Sequence, residues 1–154
     1  MAESPTERLA RTGVTLPPPP RPAGTYSPVV RSGTLAWVSG QIATEQGAVV
    51  RPGSVDRDVP LAEAQGIARR ATLQALSALA ASLGSVDRVR RVVRVGVFVA
   101  VSPGFHREHE VANGATQLLV ELFGEDGRPA RSTVGVAGLP LGAPVEVELL
   151  VETG

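Results

Sequence analysis

Apolar residues return along this chain in two different periods, and the change of period marks its elements. Between Leu61 and Leu83, residues Ala64, Ala68, Ala71, Ala75, Leu76, Leu79 and Leu83 recur at helical spacing, and Gly84 follows. That spacing predicts one long helix whose small residues suit close packing on a sheet. From Val89 to Val101 the period drops to two. Val93, Val95, Val97, Val99 and Val101 form one face, and Val92, Arg94, Gly96, Phe98 and Ala100 form the other. Two strands are predicted earlier, near 27–31 and 35–40, joined by the turn-like Arg31-Ser32-Gly33-Thr34. Ser102-Pro103-Gly104 ends the valine strand, and a second helix runs from there to about Phe123. Gly124 to Arg128 turns the chain into two last strands, near 131–137 and 145–152. In the final strand Val145, Val147, Leu149 and Val151 face one way and Glu146, Glu148, Leu150 and Glu152 the other.

The order ββαβαββ predicts an α+β domain with a mixed sheet. Two helices cover only one face of it. Should the valine-rich surfaces lie on the helix-free side, they require a partner subunit, for which a symmetric oligomer is the natural answer. Ahead of this domain, Ser4, Pro5 and Glu7 read as an N-cap, a first-turn proline and an acidic first turn. They open a short helix that stops near Gly13, and Pro17 to Pro20 with Arg21-Pro22 make a stiff extended strap. The chain thus divides into a helix and strap over 1–23 and one domain over 24–154. Residues 44–60, rich in Gly, Pro, Asp and Ser, read as a loop.

Composition narrows the choice of function. The 154 residues carry 15 basic and 15 acidic side chains, so no net field draws the chain to nucleic acid or membrane. Every basic residue is arginine, which weakens the meaning of any single one. Without cysteine there is no disulfide, thiolate nucleophile or Cys-based metal site. Met1-Ala2-Glu3-Ser4-Pro5 lacks a signal pattern and no apolar run is long enough to span a bilayer, so a cytoplasmic protein is expected.

The candidate chemistry sits near the C-terminal end. Arg131 opens a strand, a Gly/Pro turn follows at Gly138-Leu139-Pro140, and the last strand carries glutamates on alternate positions. An arginine fork takes a small carboxylate bidentately, and a glutamate can hold or activate a water. The residues alone equally allow Arg131 a strand-end ion pair with Glu146, Glu148 or Glu152. Tyr26 reads as a packed aromatic or a cleft wall, and Ser39-Gly40 as a strand terminus or a site edge. Arg94 reads as a salt-bridge partner. His106 and His109 have no third metal ligand in a recognisable motif. Arg88, Arg90 and Arg91 lack the interleaved aromatics of a nucleic-acid surface.

Three segments together resemble the RidA family, also called YjgF or endoribonuclease L-PSP. They are Gly24-Thr25-Tyr26-Ser27 through Val38-Ser39-Gly40-Gln41-Ile42, then Val111-Ala112-Asn113-Gly114-Ala115, then Pro129-Ala130-Arg131-Ser132-Thr133-Val134 with Leu139-Pro140 and Val145-Glu146-Val147-Glu148. The resemblance implies a chorismate-mutase-like fold, assembled as a homotrimer around a central β-barrel with ligand clefts between subunits. It implies an enamine/imine deaminase that hydrolyses 2-aminoacrylate-type intermediates to 2-oxo acids and ammonia. By the same resemblance Arg131 clamps the substrate carboxylate, Glu148 holds the attacking water, and Tyr26 lines the cleft from the neighbouring subunit. Ser39, Gly40, Asn113 and Thr133 complete the binding set. Thr133 stands where several members have cysteine, and the helix and strap are additions to the short members. No metal or cofactor is required by this chemistry, because the substrate is already activated. Two alternatives stand beside it: a sensor that binds 2-oxo acids without turnover, and an endoribonuclease or translation inhibitor.

Overall fold

A computed structural model describes residues 2–154. Helix α1 (Pro5–Thr12) forms where the sequence predicts it, because its start is chemically closed. Ser4 Oγ accepts from the Glu7 N–H at 3.3 Å while Glu7 Oε2 accepts from the Ser4 N–H at 2.7 Å. Helix α2 spans Leu61–Leu83 and α3 spans Glu108–Phe123. The strands are β1 (Val29–Ser32), β2 (Leu35–Ile42), β3 (Thr44–Glu45), β4 (Ala48–Val49), β5 (Val89–Ala100), β6 (Ala130–Val136) and β7 (Val145–Thr153). Among the described residues no helix is long and apolar enough to cross a membrane.

Five strands make one sheet in the order β1-β2-β7-β5-β6, antiparallel except for the parallel pair β5–β6. Helices α2 and α3 pack side by side on one face, and α1 packs against α3. The core lies between helices and sheet. Ala64, Ala68, Ala71 and Ala75 of α2 are wholly buried there, as are Val95, Val99, Val145, Val147 and Val151. The valine-rich surfaces therefore face the helices, and it is the glutamate face of β7 that is left open. A β-bulge between Val92 and Arg94 also corrects the strand pattern. It turns Val92, which is 1% exposed, onto the core face and leaves Val93 only partly covered. Residues 44–60 are not all loop, since β3 and β4 pair across them.

The strap is tied to α2 at two points. Gln74 Nε2 donates to the Pro18 carbonyl at 2.9 Å and Ser77 Oγ to the Pro17 carbonyl at 2.5 Å, both from α2. The Thr6 N–H of α1 donates to Asp87 Oδ1 at 2.8 Å, and Arg8 to the Leu122 carbonyl at 3.2 Å.

The approach of α3 to α2 depends on Gly114. A Cβ there would run into the carbonyl oxygen of Gln65, a backbone atom that has no room to give. The same crossing is fastened by Gln65 Nε2, which donates to the Glu110 carbonyl at 2.8 Å. Gly114→Ala is expected to destabilise the fold by about 1–3 kcal/mol, the usual range for forced overpacking. A melting temperature equal to that of the parent would show that the helices can part at no cost.

Candidate functional site

Strand β6 is the edge strand beside α3, and its pairing decides where its side chains go. In the parallel register Val95 partners Arg131 and Val97 partners Thr133, and both valines face the helices. Arg131 therefore leans toward α3. Its Nη1 donates to Asn113 Oδ1 at 2.8 Å and to Thr116 Oγ1 at 3.3 Å. Both partners are neutral, and Arg131 forms no ion pair among the described residues, so its positive charge is uncompensated. The alternative of a pair with Glu146, Glu148 or Glu152 is not realised, because those side chains project from the opposite face. Thr133 lies two residues further along the face of Arg131. Its Oγ1 is buried and has no hydrogen-bond partner, an uncommon state for a hydroxyl.

The opposite face carries the glutamates. Gly96 lies beneath Glu148, and Arg94 donates to Glu148 Oε1 at 2.9 Å, so Arg94 is the salt-bridge partner the sequence suggested. Glu146 has no such partner among the described residues. Its carboxyl rests over Gly40, where any Cβ would collide with it. A bulge between Val38 and Gln41 creates that notch, and Gln41, 6% exposed, braces it by donating from Nε2 to the Ser39 carbonyl at 3.1 Å. Burial raises the Glu146 carboxyl above the ordinary glutamate value of 4.5, and the like charge of Glu148 adds to the rise.

A raised folded pKa favours the protonated form in the native state. Stability from this group is therefore present below the unfolded value of 4.5 and lost as pH rises through the folded one. Glu146→Gln is expected to raise the melting temperature at neutral pH, with the gain fading as pH falls through the carboxylate range. A gain of equal size at acid pH would mean that charge is not its origin.

Tyr26 and Ser39 lie toward the other side of the sheet, Ser39 on β2 next to the edge strand β1. Tyr26 is 50% exposed, its ring beside Gly24 and its hydroxyl accepting from the Ala23 N–H at 3.4 Å. Ser39 Oγ donates to the Ser27 carbonyl at 2.7 Å, which ties the Tyr26 segment to β2. The predicted residues thus fall into separate groups. Arg131, Asn113 and Thr133 lie together at β6 and α3, whereas Tyr26, Ser39 and Gly40 gather around β2. In the strand order β2 and β6 are three strand spacings apart, about 14 Å. Sequence reasoning missed Thr116, which shares Arg131 with Asn113, and gave Glu146 no role beyond a possible pair with Arg131. The spacing of Asn113 and Thr116, one turn apart on a helix, could have signalled the first. Nothing in the linear pattern separates Glu146 from Glu148. His106 and His109 are exposed at the start of α3, with His109 3.9 Å from Glu110, whose carboxylate Arg107 already holds.

These features define an α+β domain with an unpaired arginine at one edge of its sheet and an unpaired carboxyl on the open face. The family model for endoribonuclease L-PSP matches residues 18–153, and the chain belongs to that family, the RidA family. Among curated relatives, protein TCP17 of Trypanosoma cruzi is 45% identical over 94% of this chain and 91% of its own. A protein of Dermatophagoides farinae named 2-iminobutanoate/2-iminopropanoate deaminase is 32% identical over 90% and 93%. A solved structure from Shewanella oneidensis, described as a candidate endoribonuclease, superposes with a TM-score of 0.93 at 30% identity, covering 97% of this chain and 99% of that one.

Proposed function

We propose that this protein is an enamine/imine deaminase whose clefts form between subunits of a trimer. The observation that carries the proposal is Arg131, a guanidinium held by two neutral side chains and left free to pair with a carboxylate. Asn113 and Thr116 fix its plane without cancelling its charge. An incoming 2-imino acid then meets a guanidinium whose charge no carboxylate among the described residues engages. The separation of the Arg131 group from the Gly40 group supports the assembly, since only a neighbouring copy can bring the second group to the first. Tyr26, Ser39 and Gly40 would reach the substrate from that neighbour.

Hydrolysis of the protonated imine requires one water and a group that takes and returns protons. Glu146 suits them better than Glu148, whose carboxylate is engaged by Arg94. As carboxylate, Glu146 takes a proton from the attacking water while the oxygen bonds to C2. The imine nitrogen, protonated on entry, takes up the C=N electron pair and becomes the amine of a carbinolamine. Glu146 returns its proton there, the C–N bond breaks while the hydroxyl passes its proton back to Glu146, and ammonia leaves a 2-oxo acid. The raised Glu146 pKa lets one group serve both steps. The unpartnered Thr133 hydroxyl would gain a ligand partner in the same cleft.

The relatives carry ribonuclease names as well as a deaminase name. The ribonuclease reading has less support here, since net charge is zero and Arg51, Arg69, Arg91 and Arg94 are each paired with an acid rather than gathered in a groove. The deciding assay supplies amino-acid imines generated in situ and follows ammonia and 2-oxo acid. Release faster than the spontaneous rate is expected. Release at the spontaneous rate for several side chains, from an intact oligomer, would leave the cleft a binding site for 2-oxo acids.

A further inference from the structure

Beside Arg131, on the side away from Thr133, an open groove of about 530 Å³ runs between α3 and the segment that leads into β6. We propose that this groove selects substrates with a second carboxylate, and that Arg128 determines that specificity. The proposal rests on Arg131 as the clamp for the first carboxylate and adds what lies beyond it.

Three properties of the groove point to a diacid. Its walls carry two guanidiniums, Arg128 and Arg131, on either side of Pro129. Glu121, the one acidic wall residue, is already neutralised by Arg69, which donates to its two carboxylate oxygens at 3.2 and 2.7 Å. The groove therefore offers net positive charge at two points. Between those points Val120 and Pro129 supply apolar surface for methylene groups, with Thr116 and Gln117 as polar neighbours. Three extended residues separate the Cα atoms of Arg128 and Arg131 by about 10 Å. A four- or five-carbon diacid with an ion pair at each end covers that length.

Arg128 is free to take part. Its Nε donates to both oxygens of Glu125 at 3.2 Å, but the two side chains are 67% and 83% exposed. An exposed pair at that spacing holds its partners weakly, so a ligand carboxylate can replace Glu125 at small cost. A neutral-tailed imine would use Arg131 alone. An imine or 2-oxo acid ending in a carboxylate would use both arginines.

Calorimetric titration tests this without requiring turnover. The probes are 2-oxoglutarate and 2-oxobutanoate, against the parent protein, Arg128→Gln and Arg131→Ala. The parent is expected to bind 2-oxoglutarate about two- to fivefold more tightly, the margin typical of one exposed charge pair. Arg128→Gln should erase that preference and leave 2-oxobutanoate binding as it was. Added salt should shrink the preference in the parent. Equal affinity for both probes in the parent, or a preference that survives Arg128→Gln, overturns the proposal. If Arg131→Ala still abolishes 2-oxobutanoate binding in that case, the carboxylate clamp stands and only the diacid subsite falls. If Arg131→Ala binds both probes like the parent, or the parent binds neither, the clamp itself is wrong and the diacid subsite falls with it.

Discussion

Replacing Arg131 with alanine is expected to lower kcat/KM for imine hydrolysis by about 10²- to 10³-fold, the equivalent of about 3–4 kcal/mol for two charge-assisted hydrogen bonds. The protein should nevertheless stay folded. Arg131 is exposed on an edge strand, and its removal uncovers only the Asn113 amide and the Thr116 hydroxyl, both of which lie within reach of water. Surface changes of that kind shift stability by about 0.5 kcal/mol or less. Arg131→Lys should recover little, since an ammonium keeps the charge but not the planar fork. Asn113→Ala should act in the same direction and more weakly, because it frees the guanidinium to rotate without removing it. Steady-state kinetics beside thermal melts read all three. Full activity in Arg131→Ala would remove the arginine from the reaction altogether.

How much of the site is legible in the sequence depends on how local its determinants are. Ser4, Pro5 and Glu7 announce α1 because a capping box closes within four residues, and the Ala/Leu spacing with Gly84 marks α2 to its last residue. Arg131 was also visible, as an arginine at the head of a strand. What it touches was not, because Asn113 and Thr116 arrive from a helix on the far side of a turn. The period-two reading of β5 failed at Val92 and Val93, where one bulge residue flips the faces. The hairpin of β3 and β4 turns on Gln46 and Gly47, both at positive φ (52° and 81°). Glutamine rarely adopts that conformation, so Gln-Gly lacks the signal that Asn-Gly would have given. Glu146 and Glu148 share a face and a chemistry in sequence. Only the cross-strand register, with Gly40 under one and Arg94 beside the other, tells them apart.

That difference makes Glu146→Gln the second decisive variant. Glutamine keeps the shape that fits over Gly40 but can neither accept the proton of the attacking water nor return one to the leaving nitrogen. A loss of about 10²- to 10⁴-fold in kcat is expected, the range for a positioned acid–base group, with KM little changed because Arg131 still binds the carboxylate. The same change should raise stability at neutral pH, since it relieves the burial and like-charge penalties on the carboxyl. Lower activity with higher stability is the mark of a group retained for chemistry. Glu148→Gln should behave oppositely, losing stability by stranding Arg94 while keeping most of its turnover. Mixing then locates the cleft. If the proposed assembly holds and each cleft draws its arginine and its carboxyl from adjacent subunits, oligomers reassembled from equal amounts of Arg131→Ala and Glu146→Gln chains should regain activity in about a quarter of their clefts. A mixture as inactive as its components would place both groups in one subunit's own site, against the opposite faces of the sheet on which Arg131 and Glu146 stand.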